Sequence, residues 1–374
     1  MSKDVLAQVT DNPKKEVPRL KALVHTNHEE VENGKPPKRE PIYYTIPRDK
    51  WVQVESAHDA ANRIKQKVRK ITNSSLVRVG VTEKTTGHRS KPVVVVRRDK
   101  LPNRSQQANI SIEELSERLP AAIDGNAGNK NVSEVVSDIE VTFDERELAT
   151  SATCSWDTPY YDQDFSDNVP GGCQISSGGI GTVCTPAQND GTGAQQLLTC
   201  AHLFGENGEG DAVNQSGTKI GNCAASVWRW NDKDSGDQDA DASRAFDCAT
   251  ITPDSGVDVS YTFAEDDGTY SIESIVGRTG WDLIKDGFTI KRQGRTSGRQ
   301  SGEVTTAFTN QTFETSAVSN DGDSGGPHYD EVYGDNREKN FSIAGIHSYG
   351  ENSGCSYSGA IWVGKAENEF NVTI

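Results

Sequence analysis

The stretch Asn320-Asp-Gly-Asp-Ser-Gly-Gly-Pro327 isolates one hydroxyl, that of Ser324, among glycines at 322, 325 and 326. Residues without a Cβ open backbone conformations closed to others, so a substrate carbonyl can come close to main-chain N–H groups. Those of Gly322 and Ser324 are the expected oxyanion hole. A serine hydroxyl is a poor nucleophile at neutral pH and requires a base, itself held by a carboxylate. His202 in Leu197-Leu-Thr-Cys-Ala-His-Leu-Phe204 is the expected base, because it stands at the mouth of an apolar, strand-like run. Asp247 in Ala245-Phe-Asp-Cys-Ala-Thr-Ile251 is the expected carboxylate, since it opens a β-prone apolar run whose neighbours predict burial. Asp232, Asp234, Asp237, Asp239 and Asp241 compete with it, but they share a polar run that reads as a solvated loop.

At His202, Asp247 and Ser324 the chain resembles the chymotrypsin-like serine proteases, which carry their histidine, aspartate and serine in this order. Further matches are Lys291-Arg-Gln-Gly-Arg-Thr-Ser-Gly298 with Gly302-Glu-Val304, and Gly345-Ile-His-Ser-Tyr-Gly350 with Gly354-Cys-Ser356. They are similar to the bacterial, streptogrisin and α-lytic branch, and the resemblance runs from Gly171 to Ile374. It implies an all-β catalytic unit of two antiparallel six-stranded barrels, with His202 and Asp247 from the first barrel and Ser324 from the second. It also implies peptide-bond hydrolysis through an acyl-enzyme, with no cofactor. A catalytically silent binding or regulatory protein on the same fold is the rival reading. In the bacterial branch an arginine pairs with the aspartate before the nucleophile, which assigns a buried ion pair to Arg292 and Asp323. Ser348, Tyr349 and Gly350 match the edge on which relatives hold a polypeptide substrate as an added strand. Val318 falls near the base of the primary pocket, which disfavours a Lys/Arg-directed site. His347 matches a histidine that meets the substrate carboxylate in glutamate-directed relatives, with Ser319 beside it and Asp321 opposing an acidic ligand. The alternative is a His347 that only caps a buried strand.

Among 374 residues, 33% are apolar, enough for two cores, and the net charge is −16. Residues 1–150 carry 26 Lys and Arg against 22 Asp and Glu, net +4, whereas residues 151–374 carry 13 against 33, net −20. So acidic a catalytic half disfavours nucleic acid as a partner. With a pI near 4.9 it suits solubility at high salt, as in halophilic archaea, or is an ordinary acidic surface. No apolar run is long enough for a secretory signal or a membrane span, which reads as a soluble, cytoplasmic chain without membrane contact. Cysteine usage points to export instead. All seven cysteines, Cys154, Cys173, Cys184, Cys200, Cys223, Cys248 and Cys355, lie in the catalytic half, a pattern that suggests disulfides. Cys184 with Cys200 is the first candidate pair. The spacings match no zinc motif, and no metal is expected.

Residues 1–50 are rich in Pro, Lys and Glu and read as a flexible segment. Residues 51–144 read as a small α+β domain. Ser56 caps a helix carrying Ala57, Ala60, Ala61, Ile64, Val68 and Ile71 on one face; Leu76–Thr82, Pro92–Arg97 and Val132–Phe143 form strands; Ser111-Ile-Glu-Glu114 is a capping box. A linker at 145–165 leads to the catalytic domain at 166–374. The basic N-terminal domain is placed like the removable pro-domain of a zymogen, docked on its acidic partner, or it is a permanent regulatory domain.

Overall fold

Short β-branched and aromatic runs punctuated by Gly, Asn and Asp favour strands. Strands dominate the computed structural model, which describes residues 15–72, 74, 76–86, 89–100, 110–129, 132–149, 160–205, 208–229, 246–264, 272–276, 289–309, 311–333, 339–351 and 356–374. The N-terminal part runs β1 (Glu16–His25), α1 (His28–Glu32), β2 (Arg39–Pro47), α2 (Arg48–Ile71), β3 (Val77–Thr86), β4 (Arg89–Lys100), α3 (Ile112–Arg118), β5 (Ala122–Asn129) and β6 (Val132–Ala149). Next come β7 (Asn168–Gly171), β8 (Gln174–Ser176), β9 (Ile180–Thr182), β10 (Thr185–Asn189), β11 (Gln195–Thr199), β12 (Ala212–Gln215), β13 (Thr218–Arg229), β14 (Phe246–Pro253) and β15 (Asp258–Phe263). The chain continues through β16 (Ile272–Val276), β17 (Thr289–Gly294), β18 (Gly298–Phe308), β19 (Thr312–Thr315), β20 (Pro327–Tyr333), β21 (Lys339–Glu351), β22 (Ser358–Trp362), α4 (Val363–Phe370) and β23 (Val372–Thr373).

The second half of the catalytic region closes on itself. β17 pairs β18, β18 pairs β19, β19 pairs β22, β22 pairs β21, β21 pairs β20 and β20 returns to β17, every pairing antiparallel. The first half is an antiparallel sheet in the order β23-β10-β11-β14-β13-β12-β8-β9, whose pairing does not close among the described residues. A closed six-stranded barrel beside a half-barrel, preceded by an N-terminal extension, is a chymotrypsin-like architecture. The difference from the expected pair of closed barrels lies in the first. Both faces of its sheet are covered: Leu198, Phe246 and Cys248 pack with Tyr329 and Phe341, whereas Leu197, Ala249 and Ile251 pack with Val213 and Ile220. Strands buried on both sides read as continuous apolar runs, as Cys248–Ile251 does.

In the N-terminal part, α2 lays Ala57, Ala60, Ala61, Ile64 and Val68 on the valines of β3 and β4 and on Ile139 and Val141 of β6. Full burial of each Val or Ile side chain stabilises by roughly 1.5–3 kcal/mol. The helix starts at Arg48, not at Ser56, which is buried inside it; Pro47 is the N-cap, and Val54 extends the apolar face by a turn. At α3 the Ser111 hydroxyl accepts from the Glu114 N–H at 3.2 Å, as the capping pattern requires. Within the stretch read as flexible, residues 16–47 hold the β1–β2 hairpin. Its short apolar runs, Ala22–Val24 and Ile42–Ile46, lie between Pro, Lys and Glu, and its outer partner is the distant β16, with Ala22 opposite Val276.

Among the described residues three sheet contacts stitch this part to the catalytic half: β1 to β16, β3 to β18 through Gly80 and Phe308, and β6 to β21 through Ala149 and Gly350. At the second junction the buried Glu314 on β19 receives Arg78 at 3.1 Å, Arg146 at 3.4 Å, and Arg97. Arg78 also pairs with the buried Asp99 and donates to the Tyr349 hydroxyl at 2.6 Å.

Cys173, Cys184, Cys200, Cys223 and Cys248 are free, buried thiols, so the Cys184–Cys200 bridge is not formed. Cys184 lies in the core with Leu198, whereas Cys200 lies in the one with Leu197, on opposite sides of the sheet. Cys154, Cys355 and the acidic run 231–241 fall outside the described residues, as do residues 150–159 of the linker.

Candidate active site

β11 and β14 pair with Thr199 opposite Ala249, and following that register toward their open ends sets Ala201 against Asp247. The carboxylate therefore meets the turn that carries His202. Asp247 Oδ1 accepts from the N–H groups of Ala201 at 2.8 Å and His202 at 2.9 Å. Its Oδ2 lies 2.7 Å from His202 Nδ1 and accepts from the Ser348 hydroxyl at 2.5 Å. No part of Asp247 is exposed, while 11% of the His202 side chain is. Burial alone would raise the carboxyl and lower the imidazole, but their mutual attraction and these hydrogen bonds win. Asp247 is held below the usual carboxylate range, and His202 lies well above an ordinary imidazole.

Ser324 sits in the loop between β19 and β20. Gly322 and Gly325 both take φ of +89° there, and a Cβ on Gly325 would stand 2.1 Å from Thr199 Oγ1. The Asp323 carbonyl accepts from the Gly326 N–H at 3.0 Å, so in that trans peptide the Ser324 N–H points the opposite way. His202, Gly322 and Ser324 line one cleft of about 600 Å³, together with Ile180, Leu203 and Arg295.

Asp323 anchors the loop. Arg292 Nη1 stands 3.1 Å from its Oδ2 with both side chains fully buried, so the structure brings this expected pair together. The same carboxylate accepts from the N–H groups of Thr296 at 2.7 Å, Ser297 at 3.0 Å and Asn320 at 2.7 Å, and from the Ser297 hydroxyl at 2.6 Å.

A second anchor, Thr182 on β9, had no signal in the sequence. Its hydroxyl donates to the Gly322 carbonyl at 2.8 Å, and its N–H donates to the Ser324 carbonyl at 2.8 Å. Thr182 thus ties the serine loop of the closed barrel to the half-barrel that carries His202. A threonine between small apolar residues looks like any strand residue, and only the fold reveals the contact.

The expected substrate-binding residues divide. Ser348 is buried and turned onto Asp247. Tyr349 points into the Glu314 cluster. Gly350 pairs with Ser358 on one side and Ala149 of β6 on the other, so its edge is already occupied by this chain. His347 is absent from the described cleft lining. Its ring stacks on that of His328 at 5.5 Å, with Nδ1 3.3 Å from His328 Nε2. Burial, then the Arg292 charge, holds both imidazoles well below their ordinary range. Ser319 is buried, while Asp321 lines the cleft.

No family model matches the chain, and no curated protein matches it. Among solved structures it is similar to a Nocardiopsis protease, at 19% identity over 55% of this chain and 98% of that one, with a TM-score of 0.39. It is similar also to Thermobifida fusca protease A, at 16% identity over 55% and 97%, TM-score 0.38. A third is Cellulomonas bogoriensis chymotrypsin, at 16% identity over 55% and 98%, TM-score 0.36. These three neighbours are bacterial proteases of the chymotrypsin-like type, at low identity and over little more than half of this chain.

Proposed function

We propose that the chain is a serine endopeptidase in which His202 takes the proton of Ser324 as its oxygen attacks a peptide carbonyl. The N–H groups of Gly322 and Ser324 receive the oxyanion, and water then releases the acyl-enzyme. The observation that carries this reading is the buried Asp247 carboxylate 2.7 Å from Nδ1 of His202, which lines one cleft with Ser324. That contact fixes the tautomer with its proton on Nδ1 and leaves Nε2 as the base. A fluorophosphonate probe tests it: the folded chain should be labelled at Ser324, and His202→Ala should abolish labelling. Folded protein that resists the probe would indicate a silent binding module.

The N-terminal half serves in this reading as a folding partner that also guards the substrate edge. The occupied edge at Gly350 supports the guarding role, and the dependence of Glu314 on three N-terminal arginines supports the folding one. Residues 151–374 expressed alone should fold poorly and recover when residues 1–150 are added. A stable, fully active fragment would overturn this. For specificity, the internal partners of His347, His328 and the Gly359 backbone, support a capped buried strand and an apolar or mixed preference. A peptide library decides, because a preference for Glu erased by His347→Ala would restore the glutamate reading.

A further inference from the structure

The Nε2 atom of His202 already has a neighbour that the hydrolytic reading does not use. Cys200, two residues back, sets its sulfur 3.7 Å from Nε2. In the neutral ring with its proton on Nδ1 beside Asp247, the thiol would be the donor of that contact and Nε2 the acceptor. Cys200 is fully buried, so it cannot itself meet a substrate carbonyl. Its sulfur, the imidazole and the Asp247 carboxylate offer three ligating atoms within 4.8 Å of one another.

From this cluster we infer a binding site for a thiophilic divalent cation, zinc above all, formed by Cys200 Sγ and His202 Nε2 and inhibitory to the chemistry of the cleft. Zinc binds thiolate sulfur at ~2.3 Å and imidazole nitrogen at ~2.0 Å, and a tetrahedral angle between them separates the two ligands by roughly 3.5 Å. The observed 3.7 Å therefore needs almost no rearrangement. The other half of the ring is equally prepared. A metal-bound histidine commonly gives its second N–H to a carboxylate, which orients the ring and strengthens the metal bond. Asp247 Oδ2, 2.7 Å from Nδ1, stands in that position and is held there by Ser348. His202 lines the same cleft as Ser324, so water enters the site from the imidazole side and would complete the ion's coordination.

Binding is a simple exchange. The Cys200 S–H bond breaks and its proton passes to solvent, the Nε2 proton of the charged imidazole leaves with it, and a metal–sulfur and a metal–nitrogen bond form in their place. No electron changes hands. While the ion is bound, Nε2 cannot accept a proton from Ser324. The inference depends on the hydrolase reading only for this last consequence, since binding itself needs no activity.

The full chain, stripped with a chelator, tests both levels. Calorimetric titration with zinc chloride should give one site per chain, weakened at least tenfold in Cys200→Ala and in His202→Ala. Cobalt(II) in place of zinc should produce the near-ultraviolet thiolate-to-cobalt absorption, lost in Cys200→Ala and kept in a Cys223→Ala control. Zinc should also block fluorophosphonate labelling of Ser324, reversibly on chelation, in the parent but not in Cys200→Ala. Where Cys200→Ala does not fold, Cys200→Ser takes its place. Absence of a one-to-one site, or binding and cobalt absorption unchanged in the cysteine and histidine variants, would overturn the inference. Binding with the expected mutational pattern in a chain that never reacts with the probe would leave the metal site standing and remove the hydrolase reading.

Discussion

Asp247 and Glu314 are both carboxylates without solvent exposure, and the protein keeps them charged by opposite means. Asp247 is surrounded by two backbone N–H groups, one hydroxyl and one imidazole. Only the imidazole can change its charge, and the neutral donors stay in place whichever state it holds. Glu314 is surrounded by the guanidiniums of Arg78, Arg97 and Arg146, which cannot lose their protons at any ordinary pH. Burial opposes ionisation at both, yet both carboxyls are held below their usual range. The first setting suits a charge that appears and disappears during a reaction. The second suits a permanent weld between two parts of a chain.

The sharpest way to break this contrast is a pair of isosteric changes. Asp247→Asn should lower kcat on the order of 10⁴-fold, because the amide favours the wrong tautomer of His202. Its effect on unfolding should be much smaller than its effect on rate. Glu314→Gln should do the reverse, costing about 3–5 kcal/mol in urea unfolding by stranding buried arginines, with activity per folded molecule kept. If the two variants lose stability equally, the contrast is wrong.

Proton linkage gives the next effect. With His202 raised above an ordinary imidazole, kcat/KM should climb with pH through a midpoint above ~6.5. Stability should respond in the other direction at four buried imidazoles. Burial lowers His25 to about 4 and His58 to about 3, and it carries His328 and His347 well below 6.5. Below ~6.5 the unfolded chain binds protons that the folded chain refuses, so their contribution is full above that value and is lost as pH falls. Among the described residues the one raised imidazole, His202, contributes fully below ~6.5 and loses its share as pH rises. Asp330, raised by burial to about 6, also gains stability as pH falls, but four imidazoles outweigh these two groups, so Tm should drop between about pH 7 and about pH 5, measured by calorimetry.

The smallest expected effect is that of Ser348→Ala. It removes one of several donors to Asp247 and should cost about 1 kcal/mol, several-fold in kcat, with the pH midpoint of His202 displaced. A purely structural serine would leave that midpoint where it was.

How much of this was legible beforehand follows from where each constraint resides. Ser324, His202 and Asp247 could be singled out as candidates because each sits in a distinctive local context: a glycine turn, a strand mouth and the first position of an apolar run. The Arg292–Asp323 contact was reached only through resemblance, since nothing local couples residues 31 apart. Thr182 and the arginines around Glu314 were invisible, because their partners lie on distant strands and their own neighbourhoods look like any strand. The hairpin at residues 16–47 was misread for the same reason. Its partner strand is supplied by another part of the chain, so its own composition resembles that of a free segment. Helix α2 was read on the correct face but started more than two turns too late, since Arg48-Asp-Lys50 and the alternating Val52-Gln-Val54 gave no helical period.

That distant pairing also bears on the order of events during synthesis. Ala22 meets Val276, so the first hairpin has no sheet edge to join until about 250 further residues have left the ribosome. At ~5–20 residues per second, this is a delay of roughly ten to fifty seconds. Throughout it, the hairpin's unpaired backbone edge is open to other nascent chains. Translation rate, and any chaperone that shields the emerging N-terminus, should therefore govern the yield of native protein more strongly than the stability of the finished molecule does.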